Sequence, residues 1–427
     1  MKEFFKKIVV SILTLEAQVI LRKYHPRVIA ITGSVGKTTA KDAIYTALGG
    51  GPDIRKNEKS LNSELGVPLT IIGSVSAWGS AMGWLRIISK GFGLMFGGKP
   101  YPKTLIMETG ADHPGDIHRI ARWLMPDIAV LTGVAPVHIA FFDSIDSIFK
   151  EKQQLAKHLR TGGWLALNAD DERVRTLVNG SENVLPYGIE HGALRASNIQ
   201  TVFAGNKPTG IRFDVRHGAE TPVVLELNGV ISNAQVLSTL AACAVGIAEG
   251  MSLTTISENL KKHTPTPGRM RILDGMNGSV IIDDSYNSSP AAALLALDTL
   301  KQLPAGRRIA ALGDMRELGS HSKEAHEVVG KRAAEIADML ITVGEESKVL
   351  ADAARKARPN LAIKSYGYGE SAKAGAELAS ELRAGDIVLV KGSQNMIRME
   401  HFTKSIMADS AQAKFLLVRQ DPEWLEH

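Results

Sequence analysis

Residues 28–39 read Val-Ile-Ala-Ile-Thr-Gly-Ser-Val-Gly-Lys-Thr-Thr. Val28 to Ile31 is a short apolar run of the kind a buried strand shows. Thr32-Gly33-Ser34-Val35-Gly36 is a turn of small residues, and Lys37 opens a helical stretch that runs to Leu48. A strand, a glycine turn and a helix N-terminus make a phosphate cradle. The backbone N–H groups point inward, and the helix dipole favours negative charge. Gly33, Ser34, Val35, Gly36, Lys37, Thr38 and Thr39 are therefore expected to bind nucleotide phosphates. Lys37 would reach the outer phosphates, and the Thr38 hydroxyl would hold Mg²⁺. The match is to the Gly-x-x-Gly-Lys-Thr core; Ile31-Thr32 stands where the general pattern carries a further glycine.

The same alternation continues on either side. Thr104-Leu-Ile-Met107 is an apolar strand ending in Glu108, and Asp127-Ile-Ala-Val-Leu-Thr132 is another, ending in a turn before His138. A helix from about Ser144 to Leu159 leads through Gly162-Gly163 to the strand Trp164-Leu-Ala-Leu167. Strands alternating with helices predict a parallel α/β sheet with ligands at the carboxyl ends of its strands. Residues 180–230 alternate more and read as β-rich. Thr264-Pro-Thr-Pro-Gly268 is the best linker in the chain, and beyond it the α/β rhythm restarts with strands at 279–284, 308–313, 339–344 and 386–391. The expected organisation is an N-terminal amphipathic helix (1–26), a central P-loop ATPase domain (27–268) with an insertion at 74–103, and a Rossmann-like C-terminal domain (269–427).

Bulk properties bound the function. The chain has 427 residues, 44% hydrophobic and 22% charged, ordinary values for globular domains. A single cysteine, Cys243, excludes an internal disulfide and reads as a packed core thiol in a reducing, cytoplasmic setting. Net charge is +5 with pI near 9.1, which permits an anionic substrate or membrane surface. No cluster of Lys and Arg interleaves with aromatics, so nucleic acid is not an expected partner. Phe4, Phe5, Ile8, Val9, Ile12 and Leu13 repeat at helical spacing. That segment is too short in apolar length to span a bilayer, and reads as a helix that packs on the protein or lies on a membrane. Residues 65–107 contain no acidic residue but carry Arg86, Lys90, Lys99 and Lys103 with Trp78, Trp84, Phe92 and Phe96. This insertion either faces lipid or an anionic substrate, or forms a hairpin of helices packed on the core. No lysine is followed two residues later by aspartate, so the guanine-reading motif of a GTP switch is absent.

Taken together, several segments resemble the ATP-dependent Mur ligases of peptidoglycan synthesis. The resemblance runs from Val28 to Met407. It rests on Thr32-Gly-Ser-Val-Gly-Lys-Thr-Thr39, Leu61-Asn-Ser-Glu-Leu-Gly-Val-Pro68, Glu108-Thr-Gly-Ala111, His138, Lys152 with Gly162-Gly163, and Asn168-Ala-Asp-Asp171. Pro267-Gly-Arg269, Asp283-Asp-Ser-Tyr-Asn287, Leu312-Gly-Asp-Met-Arg-Glu-Leu-Gly319 and Val390-Lys-Gly-Ser393 extend it. It is tightest to the members that add D-alanyl-D-alanine to a UDP-N-acetylmuramoyl-tripeptide.

The resemblance implies a ligase in which ATP phosphorylates a carboxylate and an incoming amine displaces phosphate from the acyl phosphate. It implies ATP and two Mg²⁺ ions as cofactors, with nucleotide-sugar peptide and dipeptide as substrates. Lys37 and Thr38 would serve ATP and Mg²⁺. Glu108 and His138 would be Mg²⁺ ligands, and Lys152 would carry a carbamate that completes the second metal site. Arg269 would reach the ATP phosphates from the hinge, and Asp284 the ribose hydroxyls. Gln235 stands in Ala234-Gln-Val-Leu-Ser238 where the family has His-Asn-x-x-Asn, and can offer adenine an amide face. Lys391-Gly-Ser-Gln394 departs from the usual Lys-Gly-Ser-Arg, which bears on acceptor recognition. The family's N-terminal uridine-diphosphate-binding domain has no counterpart before Thr32, so the N-terminal helix and the 74–103 insertion are candidates for its role. Other readings are a Mur-like ligase with a different carboxylate and amine, and a non-ligating P-loop ATPase at a membrane surface. Peripheral membrane contact fits either; oligomeric state is not encoded in any of these features.

Overall fold

The computed structural model describes residues 2–58, 61–77, 80–135, 142, 144–180, 182–394, 396–421 and 424, and the side chains from Lys6 onward. Among them, β1 (Arg27–Thr32) is the pivot. Five of its six residues are buried, and it pairs in parallel with β3 (Thr104–Glu108) on one side and β4 (Ile128–Leu131) on the other. Beyond these lie β2 (Ile54–Lys56), β5 (Trp164–Asn168) and β6 (Asn183–Gly188), then the meander β7 (Leu194–Ala204), β8 (Lys207–His217) and β9 (Val223–Asn228). The sheet order is β2-β3-β1-β4-β5-β6-β7-β8-β9. The pattern of the sequence follows burial. β1, β3 and β4 are covered on both faces and read as continuous apolar runs, whereas β8 and β9 alternate because one face is covered.

Helices cover the sheet. α1 (Lys2–Tyr24) and α2 (Lys37–Ala47) flank β1 in sequence, followed by α3 (Gly66–Ile72), α4 (Ala81–Phe96), α5 (Asp116–Leu124) and α6 (Ile145–Lys157). The helix Asn233–Ala248 is almost wholly buried against α2 and the sheet, and holds Cys243 in the core. α1 buries Val9, Leu13, Ala17 and Ile20, one stripe at helical spacing. The 74–103 segment departs from the expected hairpin of helices. Its described part holds one helix, α4, whose partner is α1, because an apolar stripe on each is buried in the same core cluster.

The second sheet comprises β10 (Arg271–Asp274), β11 (Val280–Asp284), β12 (Arg307–Gly313), β13 (Met339–Val343), β14 (Ala362–Tyr366) and β15 (Asp386–Lys391), in the order β10-β11-β15-β12-β13-β14. All pairings are parallel except β10–β11. β10 and β14 add to the four strands legible as apolar runs. Both are edge strands with alternating or partial burial. Gly268, φ 66°, makes the turn between the sheets. A Cβ there would meet the Tyr286 backbone nitrogen at 2.8 Å, so glycine is required.

Candidate active site

The register of the first sheet assembles the site. Ile31 on β1 lies beside Glu108 on β3, and Thr32 beside Leu131 on β4. The loops leaving the carboxyl ends of these three strands therefore converge. Gly33 is packed against β4's exit: a Cβ at this position would lie 2.0 Å from Thr132 Oγ1. Thr132 Oγ1 donates to the Val35 carbonyl at 2.6 Å, and the Ser34 amide donates to the Gly133 carbonyl at 2.8 Å. Gly36 (φ 81°) caps α2 in the left-handed region. Lys37 Nζ donates to the Gly33 carbonyl at 2.9 Å and so lies across its own loop. Burial pushes the Lys37 pKa down, with Glu108 opposing the shift.

Thr38 Oγ1 donates to Glu108 Oε2 at 2.9 Å. The other Glu108 oxygen accepts from Asn62 Nδ2 at 3.1 Å. Asn57 fixes the Glu108 backbone, accepting from its N–H and donating to its carbonyl. Two asparagines thus orient one buried carboxylate. Lys152, on α6, is also buried. Burial pushes its ammonium down to about 7, and the Lys37 charge adds to that shift while Glu151, Asp112 and Glu108 oppose it. His138 lies outside the described residues.

The loop from Gly33 to Thr39 walls two spaces. On one side is a cleft of about 520 Å³ between the two halves of the chain, bounded by Val35, Gly36 and Thr39 and across from them by Gln235, Arg269 and Asp284. On the other is a smaller cavity of about 200 Å³, where Gly33 and Lys37 meet Asn62, Asp112 and Lys152, with Lys6 of α1 at its edge. Nine of the sequence-selected residues thus sort into two groups around one loop, whereas Ser34, Thr38 and Glu108 line neither space.

Three of them have partners that the sequence did not announce. Gln235 Nε2 donates to the Arg269 carbonyl at 2.7 Å, which leaves the amide oxygen and one N–H to other partners. The Arg269 guanidinium stacks over the Tyr286 ring at 4.1 Å, and its Nε is buried with no hydrogen-bond partner. Asp284 has both oxygens engaged. Lys391 Nζ donates to one at 2.5 Å, and the Met270 amide to the other at 3.2 Å. Asn62 and Lys391 lie in segments that carry the resemblance and Thr132 ends a predicted strand, but their roles appear only in three dimensions. Asp171 works similarly: it accepts from the Val134 amide at 2.6 Å and holds the loop after β4.

The donor set suits Mg²⁺. A hydroxyl and a carboxylate oxygen meet beside a phosphate loop, and this ion takes one or two protein oxygens and leaves its other positions to phosphate and water. Among the described residues no three His, Cys, Asp or Glu side chains cluster as a metal site.

The sequence and the fold are both similar to those of known proteins. A model of the Mur ligase middle domain matches residues 95–246, and one of the Mur ligase glutamate ligase domain matches residues 268–394. The UDP-N-acetylmuramoyl-tripeptide–D-alanyl-D-alanine ligase of Escherichia coli is 28% identical, over 77% of this chain and 66% of its own length. That of Bacillus subtilis is 25% identical, over 92% and 78%. The chain thus spans about two thirds of the length of the Escherichia coli relative. In fold it is similar to the MurF ligase of Thermotoga maritima solved with ADP, with TM-score 0.76 and 24% identity, covering 95% of this chain and 84% of that one.

Proposed function

The chain belongs to the Mur ligase family, and from that premise we propose that it is an ATP-dependent ligase that joins D-alanyl-D-alanine to a UDP-N-acetylmuramoyl-tripeptide. The division into a central domain ending at residue 268 and a C-terminal domain beginning at 269 is part of this reading. One observation carries it: a single phosphate loop is wall to both a large cleft and a small, lysine-lined cavity. Nucleotide in the cleft and carboxylate in the cavity would face each other across Lys37, as phosphoryl transfer between two anions requires.

In that reading the loop amides and the N-terminus of α2 hold the phosphates, and Lys37 neutralises charge as the terminal phosphoryl group moves to the carboxylate. Arg269 approaches the phosphates from the hinge, with its buried Nε to spare. The amine of the dipeptide then attacks the acyl carbon, and phosphate leaves with the C–O bond electrons. Thr38 and Glu108 would hold Mg²⁺, which supplies charge shielding between the two anions. Lys152 combines burial, a depressed pKa and proximity to Lys37. A neutral amine is the form that adds to CO₂, releasing one proton to give an anionic carbamate, so Lys152 is proposed to be carbamylated and to serve the second metal with Glu108 and His138. Asp284 is proposed to face the ribose through its position in the cleft, although Lys391 and Met270 already engage it.

The test is phosphate release by purified protein given ATP, Mg²⁺, UDP-N-acetylmuramoyl-tripeptide and D-alanyl-D-alanine. Release that requires both substrates, with a product of the summed mass less water, is expected. Release with a different amine alone would move the protein to another ligase reaction, and release independent of any acceptor would leave only an ATPase.

A further inference from the structure

α1 and α4 lie side by side on one core cluster, and each leaves the stripe opposite its buried face uncovered. On α4, Trp84, Ile87, Gly91 and Leu94 point inward. Met82, Leu85, Phe92 and Phe96 are 61%, 60%, 50% and 79% exposed. Their spacing of three, seven and four residues puts them in one line on the helix. On α1, Ile8 and Leu15 are exposed in the same manner. Single exposed apolar side chains are ordinary, but a line of four beside two more on the neighbouring helix marks an interaction surface.

Charge selects the occupant. Residues 65–107 contain no acidic residue. Arg86 and Lys99 stand exposed on or just beyond α4, and Lys6, Lys7 and Arg22 on α1. Glu16 of α1 is buried, with its carboxylate packed over Gly91, and leaves the surface free of its charge. The pair is also firmly joined. Lys23 Nζ donates to the Leu94 and Met95 carbonyls, each at 3.0 Å, and the Tyr24 hydroxyl donates to the Leu94 carbonyl at 3.1 Å, so α1 caps the C-terminus of α4. Among the described residues no helix is long and apolar enough to cross a membrane. An apolar stripe with aromatic rings, rimmed by cations in a segment (65–107) without acids, is the pattern of a helix that lies in the plane of an anionic bilayer.

We infer that the α1–α4 face docks this protein onto an anionic membrane surface. The face does not depend on the ligase reading, because none of its apolar residues lines either cavity. It does share α1 with the small cavity, whose edge is Lys6 and Val10, so the docked protein would hold that cavity's mouth next to the membrane.

The test is co-sedimentation of the full chain with vesicles of equal parts phosphatidylcholine and phosphatidylglycerol, against phosphatidylcholine alone. Binding to the mixed vesicles, weakening as salt rises, is expected. Phe92→Ser/Phe96→Ser and Arg86→Glu/Lys99→Glu should each lower the partition coefficient by about tenfold or more, since each removes apolar or electrostatic attraction. Thermal unfolding should match the parent protein in both variants. Equal binding to the neutral vesicles, or no binding to either, would overturn the inference. So would a dimer in sedimentation velocity that Phe92→Ser/Phe96→Ser dissolves, since a second copy would then own the face. Absent phosphate release with intact vesicle binding would count against the ligase reading alone.

Discussion

The Thr38 hydroxyl donates to the Glu108 carboxylate across 2.9 Å, and this bond ties the first turn of α2 to the carboxyl end of β3. Two hard oxygens are thereby fixed next to the Gly33–Gly36 turn before any ligand arrives. Preorganisation of this kind lowers the cost of gathering charge at the moment of reaction. Glu108→Gln keeps the side chain's size and its contact with Thr38 but removes the negative charge. The Mg²⁺ concentration for half-maximal phosphate release should rise at least about tenfold, as loss of one charged oxygen donor predicts. An unchanged Mg²⁺ titration in the folded variant would remove Glu108 from the metal site.

Lys37→Ala should lower acceptor-dependent phosphate release by roughly a hundredfold to a thousandfold, the usual cost of deleting one fixed donor to developing charge. Its melting temperature should hold or rise, because a desolvated ammonium is lost with it. Near-parental turnover would discard the phosphate-loop assignment.

Gly33→Ala should fail for a different reason. The added methyl would sit 2.0 Å from Thr132 Oγ1, so the loop or β4 must move. A loss of about 1–3 kcal/mol in denaturant unfolding is expected from such overpacking, together with weaker ATP binding by calorimetry. Gly33→Ala/Thr132→Ala should recover part of both; no recovery would mean that the clash is not the cause.

Lys152 gives a pH signature. Its folded-state pKa is depressed to about 7 by burial, below the unfolded value of 10.5. The folded state therefore binds fewer protons than the unfolded state between these values, and stability contributed by this group falls as pH drops from about 10.5 to about 7. In CO₂-depleted buffer, Lys152→Met should be more stable than the parent near pH 7, and the gap should close as pH rises. In turnover the same variant should be nearly inactive. Lys152→Ala should regain activity with added formate or acetate if an anionic oxygen is what the site needs. A pH-independent stability difference, or full activity of Lys152→Ala without CO₂, would contradict this account.

Asp284→Asn tests a contact rather than a chemical step. Lys391 and Asp284 form a buried ion pair, with side chains 2% and 10% exposed. Removing one charge strands the other in a poorly solvated place, which costs roughly 3–5 kcal/mol. A large drop in unfolding free energy with little change in the KM for ATP would assign Asp284 to holding β11 and β15 together. A raised KM with unchanged stability would assign it to the nucleotide.

Much of this architecture is written locally. Val28–Ile31, Thr104–Met107 and Ile128–Leu131 are apolar because both faces of their strands are covered, and the turn at Gly33–Gly36 needs small residues. β14 was not legible, because Ala362-Ile-Lys-Ser-Tyr366 is an edge strand with most of its residues partly exposed. The partners of Glu108 were hidden too. Asn57 and Asn62 are polar loop residues whose purpose depends on which strand end they reach. The pairing of Asp284 with Lys391 joins positions 107 residues apart, beyond any local pattern. His138 was selected by resemblance, and its position is outside the described residues.

The larger cleft takes one wall from the phosphate loop and the other from Arg269, Asp284 and Lys391. A molecule filling it touches both halves of the chain and acts as glue between them. Were those halves to part at Gly268 as it leaves, a mechanical event would set the tempo of the cycle as much as bond making. Substitutions that stiffen this turn would slow the cycle while leaving every reacting group in place.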